Sequence, residues 1–255
     1  MIVVVFENVG YDAVIGSAAA PYLNGLANGF ALATAASAVA HPSLPNYLAM
    51  IAGDTFGVSS DCTTCYQDAP SLVDQLEARG LTWKGYQESL PAVGFLGPGS
   101  GLYAAKHDPF VYFKDVRDSS SRAERIVPFA QLERDSAAGK LPSFSFVTPN
   151  LCDDMHNCSV GTGDRWARDN LGRVLARMRK PDVMLLLQDE HSGDDSGAGG
   201  GHIFVIAAGP GAKPRFRDGA PYTTYSLTAT VETLFGLPRL GRARSATPMT
   251  NLLLP

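Results

Sequence analysis

The chain alternates short all-apolar runs with longer stretches whose apolar residues recur at helical spacing. Ile2–Phe6 has five apolar residues in succession, the pattern of a strand buried on both faces. Phe30–Thr34, Leu81–Tyr86, Ser143–Thr148, Val183–Leu187 and Ile203–Ala208 are further predicted strands. Between them the spacing predicts helices over Ala20–Asn28, Tyr47–Ala52, Ser71–Arg79, Asp164–Arg179 and Ser226–Phe235. Pro21 suits a first helical turn, Ser71 an N-cap and Gly80 the residue after a C-cap, while Lys180-Pro181 and Gly236 close the last two helices. All-apolar strands alternating with amphipathic helices predict an α/β fold, doubly wound, with a mostly parallel central sheet and helices on both faces. There is no internal repeat, and 255 residues suffice for one large domain or two small ones. Segments 91–128 and 192–201 read as site-covering loops rather than linkers, so residues 1–255 are expected to form a single domain.

Ligands of such sheets sit beyond the carboxyl ends of the strands, and polar residues collect there. The first strand ends in Glu7-Asn8. Val183–Leu187 ends in Gln188-Asp189-Glu190-His191. Ser143–Thr148 runs into Pro149-Asn150 and then Asp153-Asp154-Met155-His156. Parallel strand ends converge, so Glu7, Asn8, Asp189 and Glu190 are candidate ligands of one divalent cation. Their hard oxygens suit Mg²⁺, Ca²⁺ or Mn²⁺ and can accept Zn²⁺. Without a cation, clustered carboxylates repel and raise one another's pKa. Each pair taken alone also fits a solvated turn.

The segment His41-Pro42-Ser43-Leu44-Pro45-Asn46-Tyr47 adds a hydroxyl between two prolines, just ahead of the predicted helix. Proline stiffens the backbone on either side, and a helix N-terminus favours an anion. Ser43 is therefore a candidate nucleophile towards phosphate; the competing reading is a turn with a capping serine. Five histidines are present. His41 lies beside Ser43, His156 in the acidic loop and His202 at a strand start, where an imidazole can bind phosphate or act as general acid. His191 reads as a surface group, and the role of His107 is open.

Net charge is −4, which gives no basis for a nucleic-acid partner. No apolar run approaches the roughly 20 residues of a membrane span. The opening lacks a basic start and a cleavage site, as expected of a cytoplasmic chain or of one that has lost its signal. Cys62-x-x-Cys65 and the Cys152/Cys158 pair are spaced unlike a two-pair zinc site. Two local disulfides and an oxidising compartment are expected, with four buried thiols as the alternative. The aromatic and apolar residues of 91–113 (Phe95, Leu96, Tyr103, Phe110, Tyr112, Phe113) could line an apolar approach to a site or belong to the core.

Taken together, several segments resemble the phosphoesterase family of the alkaline phosphatase superfamily, which holds bacterial acid phosphatases and phospholipases C. They are Phe6–Asp12, Ala20–Asn24, His41–Tyr47 with Ile51-Ala52-Gly53, Leu81–Tyr86, Lys106–Phe110, Thr148–Cys158 with Gly163-Asp164, Gln188–Glu190 and Tyr225–Pro238. The resemblance implies an alkaline phosphatase-like fold and a metal-dependent hydrolase of small-molecule or lipid phosphate esters. Glu7, Asn8, Asp189 and Glu190 would be the metal ligands and Ser43 the nucleophile. Asn46 would support the transferred oxygens, His41 and Asp154 would line the site, and His156 or His202 would protonate the leaving group. The alternatives are a phospholipase C-type diesterase and a non-catalytic binding protein with a degraded site; a sulfatase would need an arginine that does not follow Ser43. Thr224 departs from the family pattern, standing where a histidine is usual, which puts a two-metal site in doubt. The cysteine loop matches secreted members. The ester cleaved and the oligomeric state are not legible.

Overall fold

A computed structural model describes residues 1–191 and 199–255. The expected loop 192–201 therefore lies mostly outside the described residues. Nine strands form the main sheet: β1 (Ile2–Phe6), β2 (Ala31–Ser37), β3 (Trp83–Gln87), β4 (Ile126–Pro128), β5 (Phe144–Thr148), β6 (Met184–Gln188), β7 (His202–Ala208), β8 (Phe216–Asp218) and β9 (Tyr222–Thr223). Their order is β8-β2-β7-β6-β1-β5-β3-β4, with β9 also pairing β2. Every pairing is parallel except those of β7 with β2 and β6.

Successive side chains of a strand point to opposite faces, and β1 divides the core accordingly. Val3 and Val5 pack with Tyr47, Leu48, Ile51, Leu227 and Val231 on one face. Ile2, Val4 and Phe6 pack with Leu23, Leu26, Trp166, Leu171 and Val174 on the other. Helices Ser43–Ala52 and Thr224–Phe235 thus cover one side, and Pro21–Gly29 and Val160–Arg177 the other. This is the expected doubly wound arrangement, and its fully apolar strands follow from being covered twice.

Element boundaries moved where caps came from elsewhere. The helix expected from Tyr47 begins at Ser43 with Pro42 as N-cap, and Pro45 is tolerated because first-turn N–H groups need no helical partner. Pro42 has no side-chain acceptor, so Asp61 accepts from the Leu44 N–H at 3.0 Å. The long helix begins at Val160 with Ser159 as N-cap. Asp164, expected at its start, instead accepts from Tyr22 and Leu23 N–H at 3.1 and 2.8 Å and caps Pro21–Gly29 across the interface. Ser71 caps Leu72–Ala78, and Gly80 takes φ +68° after it, as read from the sequence.

Segment 91–128 is not a bare loop. It holds β4 and several one-turn helices, each too short to show a period. Tyr103, Phe110, Tyr112 and Phe113 are at most 3 % exposed, and Phe95 and Leu96 pack against the same core. These aromatics are core, and the apolar-approach reading fails because the excursion folds back on the sheet. Both expected disulfides, Cys62–Cys65 and Cys152–Cys158, are present. No described helix is long and apolar enough to cross a membrane.

The Cys152–Cys158 bond closes a short loop that carries Asp154 and His156. Replacing both cysteines with alanine is expected to lower stability by about 2 kcal/mol, from the entropy released to the unfolded loop. Hydrolytic activity should fall by more than the loss of folded protein explains. Urea denaturation alongside rate measurements under folding conditions checks both.

Candidate active site

Because β1, β2, β5 and β6 run the same way, Glu7-Asn8, His41–Ser43, Asp154 and Asp189-Glu190 emerge at one edge of the sheet. The antiparallel β7 starts there, which puts His202 on the same edge. Ser43 Oγ lies 3.0 Å from Glu7 Oε2 and 3.2 Å from Glu190 Oε1. A hydroxyl has one proton to donate, so one carboxylate receives it at a time and either can take it up. His41 Nδ1 contacts Glu190 Oε2, with the ring partly open to solvent. Asn8 holds a left-handed backbone, φ +55°, which asparagine tolerates, and this turns its N–H to Asp189 Oδ1 at 3.2 Å.

Asn46 is buried, and its amide is committed to backbone. Its oxygen accepts from Val39 and Ala40 N–H at 2.9 and 3.2 Å, and its nitrogen donates to Ala40 and Pro42 carbonyls at 2.7 and 3.4 Å. Thr224 Oγ1 stands 3.5 Å from the same oxygen. Asn46 therefore fixes the turn through the cis His41-Pro42 bond that presents Ser43.

Three residues join the site that the sequence left open or did not single out. Tyr47, one turn after Ser43, donates to Glu7 Oε1 at 2.6 Å. His107, whose role was open, is buried between two carboxylates: Nε2 is 3.2 Å from Glu7 Oε2 and Nδ1 3.2 Å from Asp154 Oδ2. Burial opposes charge on this ring, yet Glu7 and Asp154 together raise its pKa to about 9. Lys106 donates to Asp61 Oδ2 at 2.9 Å and contacts His156 Nε2 at 3.1 Å. The Lys106–His107 pair lies within a quoted motif, but only its fold-back onto the Ser43 helix gives it partners. His156 Nδ1 meets Asn157 Oδ1 at 2.8 Å. His202 stacks on Tyr11 with ring centroids 4.3 Å apart, and its Nε2 is 3.1 Å from the Thr34 carbonyl. His191 packs its ring over Gly10, so closely that a Cβ there would lie 1.9 Å from Cδ2.

Glu7, Asp154 and Asp189 are fully buried and Glu190 is 6 % exposed. Burial raises the pKa of Asp189 well above the carboxylate range, with the charges of Glu7 and Glu190 adding to it. Burial likewise raises Asp154 and Glu190. Burial also acts against charge on Glu7, but the His107 cation outweighs it and holds this carboxyl low. Asp189 Oδ2 is buried without a hydrogen-bond partner among the described residues. Negative charge in excess of local cations, with an orphaned carboxylate oxygen, fits a divalent cation held by hard oxygen donors. Glu7, His107 and His156 also place ligand atoms within 4.8 Å of one another. That trio fits a metal poorly, because Lys106 and Asn157 take both His156 nitrogens and Glu7 and Asp154 face both His107 nitrogens.

Comparison with known proteins identifies the family. A family model described as the phosphoesterase family matches residues 15–238. The chain is 34 % identical over 253 residues to a phosphatidylinositol-3-phosphatase of Mycobacterium tuberculosis, covering 99 % of this chain and 82 % of that protein. It is 34 % identical to an acid phosphatase of Aspergillus fumigatus, covering 92 % of this chain but only 54 % of the fungal protein. Among solved structures, an alkaline phosphatase superfamily protein of Vibrio parahaemolyticus superimposes with a TM-score of 0.65 at 13 % identity, over 95 % of this chain and 68 % of that one. Murine ectonucleotide pyrophosphatase/phosphodiesterase 5, an inactive variant in complex with AMP, does so with a TM-score of 0.66 at 11 % identity, over 100 % and 99 %. At these identities the two structures bear on the fold alone.

Proposed function

The chain belongs to the phosphoesterase family and is a phosphoric ester hydrolase; from that premise we propose a metal-dependent phosphomonoesterase of the acid phosphatase type that works through a Ser43 phospho-enzyme. The observation that carries it is the Ser43 hydroxyl, at a helix N-terminus and within hydrogen-bond distance of two carboxylates from separate strands.

Glu7, Asn8, Asp189 and Glu190 would hold a divalent cation, which when bound supplies Lewis acidity and lowers the pKa of an attached hydroxyl. The chain's own groups do the rest. Glu7 or Glu190 takes the Ser43 proton as Oγ attacks phosphorus in line. The helix N-terminus favours charge on the transferred oxygens, and Asn46 keeps the turn in place. The proton taken up by Glu7 or Glu190 then passes to the leaving alkoxide, while His156, with Nδ1 on Asn157 and Nε2 on Lys106, keeps the lysine in place. Water then cleaves the phosphoserine.

Tyr103, Phe110, Tyr112 and Phe113 are spent in the core and do not line an apolar approach, which favours small monoesters over the phospholipase C-type reading. The two disulfides support an extracytoplasmic location. A panel of p-nitrophenyl phosphate, its bis-ester and phosphatidylinositol 3-phosphate, each with and without EDTA, tests the reading. Fast, EDTA-sensitive monoester release with slow diester release is expected. Equal or faster diester release would replace it with the phospholipase-type alternative.

A further inference from the structure

We propose that Lys106 binds the transferred phosphoryl group and selects monoesters, and that Asp61 is the positioning residue that aims it. The inference rests on the phosphomonoesterase reading of the Ser43 site. A lysine ammonium has three N–H donors and accepts nothing. One donor goes to Asp61 Oδ2 at 2.9 Å and one to His156 Nε2 at 3.1 Å. Among the described residues no acceptor takes the third.

Two independent links bring the Lys106 ammonium close to the nucleophile. Asp61 uses its other oxygen, Oδ1, to accept from Leu44 N–H at 3.0 Å, so one carboxylate ties the ammonium to the residue after Ser43. On the other side, His156 belongs to the cluster with Glu7 and His107, and Glu7 Oε2 holds the Ser43 hydroxyl. The Lys106 and Asp61 side chains are 21 % and 27 % exposed. They stand at the rim, open to a ligand yet partly desolvated.

Charge explains the need. The buried part of the site is rich in carboxylates (Glu7, Asp154, Asp189), and a phosphate monoester brings about −1.5 to −2 more. A compact ammonium is a common phosphate ligand. A monoester offers three non-bridging oxygens and a diester two. An ammonium directed at the oxygen that a diester would esterify therefore favours the monoester.

The test compares Lys106→Met, Lys106→Arg and Asp61→Asn with the parent protein. Three quantities are read: kcat/KM for p-nitrophenyl phosphate, kcat/KM for its bis-ester, and the inhibition constant of inorganic phosphate. Lys106→Met should lower the monoester value about 100-fold, the diester value far less, and weaken phosphate inhibition. Lys106→Arg should restore part of each. Asp61→Asn keeps an acceptor for Leu44 N–H but loses the ion pair, and should shift the same ratios in the same direction. A purely structural salt bridge would lower both esters alike and leave phosphate inhibition unchanged, and that result overturns the proposal. If Lys106→Met does not fold, Asp61→Asn carries the same comparison. Calorimetric phosphate binding to Ser43→Ala, with Asp61 intact or replaced by Asn, reads the contact even if the covalent mechanism fails: weaker binding on loss of Asp61 supports it and equal binding overturns it.

Discussion

Ser43→Ala should lose at least about 10³-fold in turnover of p-nitrophenyl phosphate, the scale seen when a nucleophile is deleted and only binding and electrostatics remain. The fold should survive, because the hydroxyl's hydrogen bonds go to site carboxylates such as Glu7 and Glu190 and the helix beyond it is anchored by Leu44, Leu48 and Ile51 in the core. Its capping bond, from Leu44 N–H to Asp61, does not involve the Ser43 side chain. Metal content per chain should be unchanged. Rapid-quench trapping of a phosphorylated peptide containing Ser43 in the parent, absent from the variant, would complete the case. Retained turnover in a folded, metal-loaded Ser43→Ala protein would remove the covalent step.

Asp189→Asn should have opposite effects on stability and on activity. Burial and the neighbouring charges of Glu7 and Glu190 raise the Asp189 pKa well above the ordinary value. A carboxyl whose folded pKa is raised destabilises the fold where it must ionise and stabilises it as pH falls through that raised value. Metal-free parent protein should therefore gain stability on acidification, with Asp154 and Glu190 acting in the same sense and Glu7 in the opposite one. The neutral amide removes the repulsion, so metal-free Asp189→Asn should melt no lower than the parent at neutral pH. A divalent cation at 100 times its Kd should stabilise the parent by about 2.7 kcal/mol. The variant should lose most of that gain and at least about 100-fold in rate. Differential scanning calorimetry with and without cation reads both signs. An undiminished cation response in Asp189→Asn would take this carboxylate out of the metal site.

Several of these expectations were legible in the residue string because they depend on local pattern. The apolar run Ile2–Phe6, the Ser71 cap and the positive-φ Gly80 are fixed by residues within a turn of one another. Strand-end pairs such as Glu7-Asn8 and Asp189-Glu190 follow once the strands are placed, since parallel strands share an exit edge. Other features depended on contacts between distant residues. Asp61 drew no attention and Asp164 read as the start of its own helix, yet each caps a helix distant in sequence. Asn46 read as a phosphate ligand, but closing the His41-Pro42 turn consumes its amide. The aromatics of 91–113 could face solvent or core until the excursion was seen to fold back.

By itself the sequence determined the layered α/β architecture and the segments that bear the chemistry, because periodicity, proline and glycine act over a few residues. Only the tertiary structure decided which charges meet. Burying Glu7 against Tyr47 and His107, and clasping Lys106 between Asp61 and His156, joins chain segments 40 to 100 residues apart. Electrostatic interactions take their strength from distance and desolvation, and neither quantity exists until the sheet has brought those segments together.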